Sequence, residues 1–307
     1  MEGEVGTSLA ARINSAPSLQ HSDAVSEGLL VLVLDTNPRY WFAEGQARDG
    51  GDSAFQQLVA STLVFVNAYL LLHRSNRIVV VAAHAGRAEM LYPDAEQQDT
   101  SGSAEQSAKV NTSVLQKLRA LGNAPIDASK PNATAIAASL SRALCFINRA
   151  IREQSDLRPR VLVIQKSPDV AQHYISIMNG IFSAQKKSVA VDACVLASEH
   201  SSFLQQAAYL TGGIYYKPID HSGLLQYLLS IYLPDPSMRK LLKLPSQDSV
   251  DFRAMCFCHK EVISTAFVCP VCLSLFCEFQ PICSTCGIRS RIQPAKKLQQ
   301  KKRQRPS

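Results

Sequence analysis

The cysteines of this chain are concentrated near one end, and this constrains the fold more than any other feature. Seven of the nine lie between Cys256 and Cys286. Within that segment, two Cys-x-x-Cys pairs are separated by ten residues, a spacing that lets four thiolates surround one Zn²⁺ tetrahedrally. The predicted ligands are Cys269, Cys272, Cys283 and Cys286. Because four protein ligands leave no open position for water, the sequence predicts a structural zinc site and not a catalytic one.

The other cysteines of the segment leave the number of zinc ions open. Cys256, Cys258 and Cys277 could form a second site, with or without His259, which could also be a surface residue. The chain begins Met-Glu-Gly-Glu, with no basic segment or early apolar run, so a secretory signal is not indicated. We therefore expect a reducing compartment, in which clustered cysteines bind metal and do not form disulfides.

The segment before the cysteines alternates strands and helices. An uninterrupted apolar run from Leu29 to Leu34 predicts a strand that is buried on both faces and ends at Asp35. Further strands are predicted at 77–82, 88–92, 160–164, 189–196 and 213–216, and helices at 53–73, 132–152, 170–184, 201–210 and 224–232. Such alternation requires crossover connections, so the predicted fold class is α/β, with a doubly wound, mainly parallel sheet and helices on both faces. Cys145 and Cys194 stand singly in apolar segments and are predicted to be buried thiols.

Motifs for catalysis or nucleotide binding are missing from this sequence. Neither Gly-x-Gly-x-x-Gly nor Gly-Lys-Ser/Thr occurs after the first strand, so dinucleotide and triphosphate binding are not indicated. Isolated histidines, interpreted as surface or capping residues, are His84, His173, His200 and His221. The apolar stretches fall short of the roughly 20 residues that cross a bilayer. We therefore expect no enzyme activity, no small-molecule substrate and no membrane partner.

Composition divides the chain into four predicted parts. These are a disordered N-terminus at 1–27, an α/β domain at 28–236 with a solvated insertion at about 93–108, a cysteine-rich zinc module at 250–292, and a basic tail at 293–307. The whole chain carries +7, and residues 287–307 contribute eight basic and no acidic side chains, so the remainder has a net charge of −1. Positive charge confined to the tail indicates a nuclear localisation signal, a nucleic-acid contact or a solvating end, and it does not support a DNA-binding face on the body.

The order of strands and helices resembles a von Willebrand factor A domain. Typical members hold Mg²⁺ through Asp-x-Ser-x-Ser after the first strand, a threonine at a later helix start and an aspartate after another strand. The corresponding residues here are Asp35, Asn37, Arg39, Thr134 and Lys166. Because Arg39 and Lys166 place positive charge where the family has a hydroxyl and a carboxylate, Mg²⁺ is not expected at this degenerate site. Asp35 is expected to pair with Lys166 or Arg39, or to cap the turn after the strand.

Together, the degenerate domain, the cysteine spacing and the basic tail resemble the Tfb4 family, the thirty-four-kilodalton subunits of general transcription factor IIH. The most specific stretches are Leu34–Pro38, Leu144–Asn148, Val191–Leu196, Leu225–Leu229, Met255–His259 and Val268–Cys286. The resemblance implies a nuclear, non-catalytic subunit that acts by protein–protein scaffolding in RNA polymerase II transcription initiation and nucleotide excision repair. The implied partners are the other core subunits, chiefly the larger zinc-containing subunit, with DNA contacted indirectly or through the tail.

Two other functions of the zinc module compete with scaffolding. Clustered cysteine and histidine residues also occur in cross-braced RING-like modules of ubiquitin ligases, although the spacing here departs from that pattern at the first and third ligand pairs. Direct DNA binding is the second alternative. It lacks a Cys₂His₂ helix with base-reading positions, and the positive charge lies in the tail alone.

Overall fold

A computed structural model describes residues 27–42, 51–93, 103–124, 133–245, 250, 252–259 and 261–289. The predicted disordered N-terminus up to residue 26, most of the predicted insertion and the predicted basic tail lie outside these residues.

A six-stranded sheet forms the centre of the α/β domain. Its strands are β1 (Gly28–Asp35), β2 (Arg77–His84), β3 (Arg87–Tyr92), β4 (Arg158–Gln165), β5 (Ala190–Val195) and β6 (Tyr215–Tyr216). They lie in the order β3-β2-β1-β4-β5-β6, with β3 antiparallel to β2 and the other neighbours parallel. Central strand β1 is buried from Leu29 to Asp35, which explains its uninterrupted apolar sequence. The predicted doubly wound, mainly parallel sheet is confirmed.

Helices cover both faces of the sheet, as predicted. They are α1 (Pro38–Phe42), α2 (Gly51–Leu72), α3 (Ser103–Asn123), α4 (Ile136–Glu153), α5 (Tyr174–Lys186), α6 (Ser202–Thr211), α7 (Leu224–Tyr227), a π-helical turn (Leu228–Tyr232) and α8 (Pro236–Arg239). Helices α4, α5 and α6 pack into the core on one face, and α2, α3 and α7 pack into the core on the other. Each set thus has one side against the sheet.

Helix α3 differs from the sequence-based prediction. The sequence predicted a solvated insertion over about 93–108, but α3 already begins at Ser103. Its inner face buries Val110, Val114 and Leu121. The only apolar residue of its first turn is Ala104, and the larger apolar side chains that reveal the helical period start at Val110.

Helix α2 contains the segment Ala54–Leu72, the one helix among the described residues that is long and apolar enough to cross a membrane by length and composition. Phe65, Val66, Tyr69 and Leu70 of this helix are buried in the core beside the sheet. Packing against the sheet accounts for these residues, whereas Val64, Leu71 and Leu72 of the same helix are exposed.

The cysteine-rich module consists of two short antiparallel hairpins. Strand β7 (Ala254–Met255) pairs with β8 (Val262–Ile263), and β9 (Phe267–Val268) pairs with β10 (Leu275–Phe276). Its small core is formed by Phe276 together with Cys269 and Cys283. Isolated two-stranded hairpins are marginal at best in water, so this module needs a further source of stability.

Candidate metal centre

The four predicted zinc ligands come together in space. The sulfur atoms of Cys269, Cys272, Cys283 and Cys286, named the first cluster here, all lie within 4.8 Å of one another. The distance is 3.8 Å between the sulfurs of Cys269 and Cys286 and 3.5 Å between those of Cys272 and Cys283. Zinc–sulfur bonds of about 2.3 Å at tetrahedral angles would place sulfurs about 3.8 Å apart. The first cluster therefore fits a four-thiolate zinc site.

Two backbone loops of the same shape supply these thiols. In the first, the N–H of Cys269 donates to the carbonyl of Ser274, and the N–H of Leu273 donates to the carbonyl of Cys269. In the second, the equivalent bonds run from Cys283 to Ile288 and from Gly287 to Cys283. Leu273 and Gly287 both adopt the left-handed conformation, with φ of 58° and 73°. Each Cys-x-x-Cys pair is thus a tight knuckle that brings its two thiols together.

Hydrogen bonds favour the thiolate form of two of the clustered cysteines, Cys272 and Cys256. The hydroxyl and the N–H of Ser274 lower the pKa of Cys272 to about 6. Burial opposes ionisation of Cys256, but the N–H groups of Glu261 and His259 outweigh it and lower the pKa of that thiol to about 7. Because zinc binds thiolates, both arrangements favour the ligand form.

A second group of metal-binding side chains lies in the same module. Cys256, Cys258, His259 and Cys277, named the second cluster, have ligand atoms within 4.8 Å of one another. Sγ of Cys277 is 3.4 Å from Sγ of Cys258 and 3.1 Å from Nδ1 of His259. The sequence left the role of His259 open. The signal for it was the three-residue step from Cys256 to His259, which equals the step within each Cys-x-x-Cys pair.

The two clusters alternate along the chain. Three residues of the second cluster precede Cys269, and the fourth, Cys277, lies between the two knuckles of the first cluster. Along the chain, the ligands thus form four successive groups, which belong in turn to the second, the first, the second and the first cluster. This alternating arrangement is called cross-braced. Each cluster therefore restricts the loop that carries part of the other.

At the edge of the sheet, the side chain of Asp35 caps the turn after β1, as one of the two sequence-based interpretations predicted. Its carboxylate accepts N–H groups from Asn37 at 3.1 Å, from Lys166 at 3.1 Å and from Ser167 at 2.7 Å. Burial raises the pKa of Asp35, and hydrogen bonds from these residues act in the opposite direction. The ammonium of Lys166 lies 5.8 Å from the centroid of the Trp41 ring, a cation–π contact. Asp35 thus joins the turns that follow β1 and β4.

Three other residues correspond to the metal-binding positions of von Willebrand A domains, namely Asn37, Thr134 and Arg39. The amide nitrogen of Asn37 donates to the hydroxyl of Thr134 at 3.0 Å. This bond uses the threonine oxygen that binds the metal in typical members of the fold. Arg39 is exposed.

Two side chains of the α/β domain depart from the predictions, and a third agrees. His84, predicted at the surface or in a cap, is 4% exposed, and its Nδ1 lies 2.8 Å from the carbonyl oxygen of Thr36. Burial lowers the pKa of His84, which favours the neutral imidazole. Cys145 is exposed and not buried, because it lies on the outer side of α4, whereas Cys194 is fully buried as predicted. The helical period of Leu140, Ala143 and Ile147 in fact places Cys145 on the opposite side of α4, and the prediction from its apolar neighbours overlooked this signal.

Comparisons with known proteins agree on one family. The sequence model of the family described as transcription factor Tfb4 matches residues 27–287. General transcription and DNA repair factor IIH subunit TFB4 of Arabidopsis thaliana is 38% identical over 94% of this chain and 98% of its own length. The tfb4 subunit of the same factor from Schizosaccharomyces pombe is 38% identical over 88% of this chain and 91% of its own. The crystal structure of the TFIIH p34 N-terminal domain superposes with a TM-score of 0.58 at 31% identity, covering 66% of this chain and 96% of that one.

Proposed function

This chain belongs to the transcription factor Tfb4 family of general transcription factor IIH subunits, and from this premise we propose that it acts as a non-catalytic scaffold within that complex. The names of its relatives specify transcription and DNA repair. The α/β domain and the zinc module would bind neighbouring core subunits, chiefly the larger zinc-containing subunit. Such a role places the chain in the nucleus, with the basic tail as the localisation signal or a nucleic-acid contact.

The observation that carries this proposal is a group of exposed apolar side chains on the zinc module. Its members, each more than half exposed, are Phe267, Val268, Val271, Leu273 and Ile282. Exposed apolar residues gathered in one small module indicate a protein-binding surface. The first cluster in the same module would supply four protein ligands and leave no open position for a substrate, which supports a structural role for zinc. The metal would shape the surface, and the surface would bind the partner.

A charge placed in this surface is expected to weaken partner binding. Leu273→Asp puts a carboxylate on a side chain that is 69% exposed, so the isolated chain should remain folded, and aspartate tolerates the left-handed conformation found at this position. We expect at least a tenfold higher Kd for the larger zinc-containing subunit, about 1.4 kcal/mol, measured by calorimetry. Leu241→Asp, at an 82% exposed leucine outside the module, is the matched control and should bind normally. Equal affinities for both variants would contradict the surface.

We also propose that the edge of the sheet near Asp35 holds no Mg²⁺. Its carboxylate already accepts three N–H groups, and Lys166 and Arg39 stand at two ligand positions of the family. For a fragment that ends at residue 245, we expect the same melting temperature with EDTA and with Mg²⁺. The full-length chain is the control, because EDTA should remove its zinc. A fragment that melts several degrees lower in EDTA and recovers with Mg²⁺ would show that the site binds metal.

The alternating order of the two clusters favours one alternative, a RING-like ubiquitin ligase, because cross-bracing is the architecture of that class. The test is a discharge assay in which a ubiquitin-charged conjugating enzyme is mixed with the full-length chain. Scaffolding predicts discharge at the rate of the conjugating enzyme alone. Discharge that is faster with the wild type and lost in Val271→Asp would replace the scaffold proposal with the ligase.

A further inference from the structure

The second cluster lies between the two hairpins of the zinc module. Cys256, Cys258 and His259 belong to the turn between β7 and β8, and Cys277 directly follows β10. Each strand of these hairpins has only two residues, which is too few for a hairpin that is stable alone in water. A link between the two hairpins would therefore decide whether the first one has a fixed position.

We propose that Cys256, Cys258, His259 and Cys277 bind a second zinc ion, with His259 as a ligand through Nδ1, and that this ion fixes the β7–β8 hairpin against the α/β domain. Three thiolates and one imidazole are a common ligand set of structural zinc. The inference goes beyond the proposed scaffold function, since it concerns the isolated chain and needs no partner.

The distances in the second cluster are close to those of a zinc site. Bonds of about 2.3 Å to sulfur and 2.0–2.1 Å to nitrogen, at tetrahedral angles, separate two sulfurs by about 3.8 Å and a sulfur from a nitrogen by about 3.6 Å. The two separations from Sγ of Cys277 are 3.4 Å to Cys258 and 3.1 Å to His259. Small side-chain rotations would admit the ion, as they would in the first cluster, where one separation is 3.5 Å.

The backbone also places His259 at a ligand position. The N–H of Cys256 donates to the carbonyl of Glu261 at 2.9 Å. The same bond, from the first ligand to the fifth residue after it, closes both knuckles of the first cluster, at Cys269 and at Cys283. In those knuckles the second ligand follows three residues after the first, and here that residue is His259. This loop is therefore a third knuckle, with an imidazole in place of the second thiol.

The hairpin that carries this knuckle packs against the α/β domain. Met255, next to Cys256, packs on the core of the face that holds α4, α5 and α6, and its backbone N–H donates a hydrogen bond to the hydroxyl of Tyr174. The ring of Phe252 contacts that of Tyr209, with centroids 5.0 Å apart. Met255 and Val262 also line a cleft of about 200 Å³ between the hairpin and the domain. An ion that orders the turn of this hairpin would keep these contacts in place.

Zinc content of the full-length chain tests the site directly. Elemental analysis of the purified protein is expected to give two zinc ions per chain. Cys256→Ser and Cys277→Ser should each reduce the content to one ion, whereas Cys145→Ser, at an exposed cysteine outside both clusters, should keep two. One ion per wild-type chain, or two ions in both cluster variants, would overturn the proposal.

Cobalt spectroscopy tests His259 separately. His259→Cys should still bind two Co²⁺ ions, and the intensity of the cobalt–thiolate charge-transfer bands should rise, because eight cobalt–sulfur bonds replace seven. His259→Ala should bind the second ion more weakly, with the first unchanged. A charge-transfer spectrum that is the same in the wild type and in His259→Cys would show that the imidazole is not a ligand.

Hydrogen exchange of the full-length chain tests the fixing of the hairpin. In Cys256→Ser, amides of residues 252–263 should exchange at least tenfold faster than in the wild type, while those of α4, α5 and α6 should be unchanged. Unchanged exchange in 252–263 after loss of one ion would overturn this part of the inference. Because none of these measurements includes a partner, their failure is distinguishable from failure of the scaffold proposal.

Discussion

Replacing Cys269 by serine is expected to remove the zinc ion of the first cluster and to unfold the β9–β10 hairpin with its knuckle. Cys269 is 6% exposed and forms the small core of the module with Phe276 and Cys283. A serine hydroxyl is a much poorer zinc ligand than a thiolate, and structural zinc typically contributes about 10–16 kcal/mol of apparent binding free energy to small modules. Two-residue strands and one buried aromatic ring cannot replace that contribution.

Zinc per chain and hydrogen exchange of residues 267–289 measure this effect. Cys145→Ser is the matched control, because it removes an exposed thiol from the α/β domain and should change neither quantity. The urea-unfolding transition of the α/β domain should be the same in both variants. Full zinc content in Cys269→Ser would contradict the ligand assignment. Binding of zinc-free wild-type protein to the larger subunit with full affinity would contradict the architectural role of the metal.

The sequence predicted those features that depend on neighbours along the chain. The run from Leu29 to Leu34 is typical of a strand buried on both faces, and it is the centre of the sheet. Paired Cys-x-x-Cys spacing likewise identified a four-thiolate group, whose sulfurs the fold brings together. Both signals are local, because strand burial follows from consecutive apolar residues and a knuckle follows from two cysteines three positions apart.

Features that depend on distant parts of the chain were not predictable. His84 ends an apolar strand, as a surface residue would, but the turn after β1 covers it and supplies the Thr36 carbonyl. Strands β4 and β5 contain the charged residues Arg160 and Asp192, and the neighbouring sequence does not indicate a partner for either. Their partners lie in the last turns of the α/β domain, between Tyr232 and Arg239.

These partners form a buried network that closes the domain. The guanidinium of Arg160 donates to the carbonyls of Tyr232, Leu233 and Pro234, where the π-helical turn ends. Arg239 makes two parallel hydrogen bonds to the carboxylate of Asp192, at 2.8 and 2.6 Å. The side chains of this ion pair are only 10% and 1% exposed. The segment after β6 is thus tied to strands β4 and β5 by two arginines.

Arg239→Met is therefore expected to lower the free energy of unfolding by about 3–5 kcal/mol, because it leaves the Asp192 carboxylate buried without its cation. Urea denaturation measures the loss. Lys109→Met is the matched control, since Lys109 forms an ion pair with Glu105 at 3.0 Å in which the two side chains are 40% and 64% exposed. Removing that surface pair should cost at most about 1 kcal/mol.

Adding Asp192→Asn to Arg239→Met should restore part of the lost free energy of unfolding, because the neutral amide costs less to bury than a carboxylate. If Arg239→Met were no more destabilising than Lys109→Met, the buried pair would not be what holds the end of the domain on the sheet.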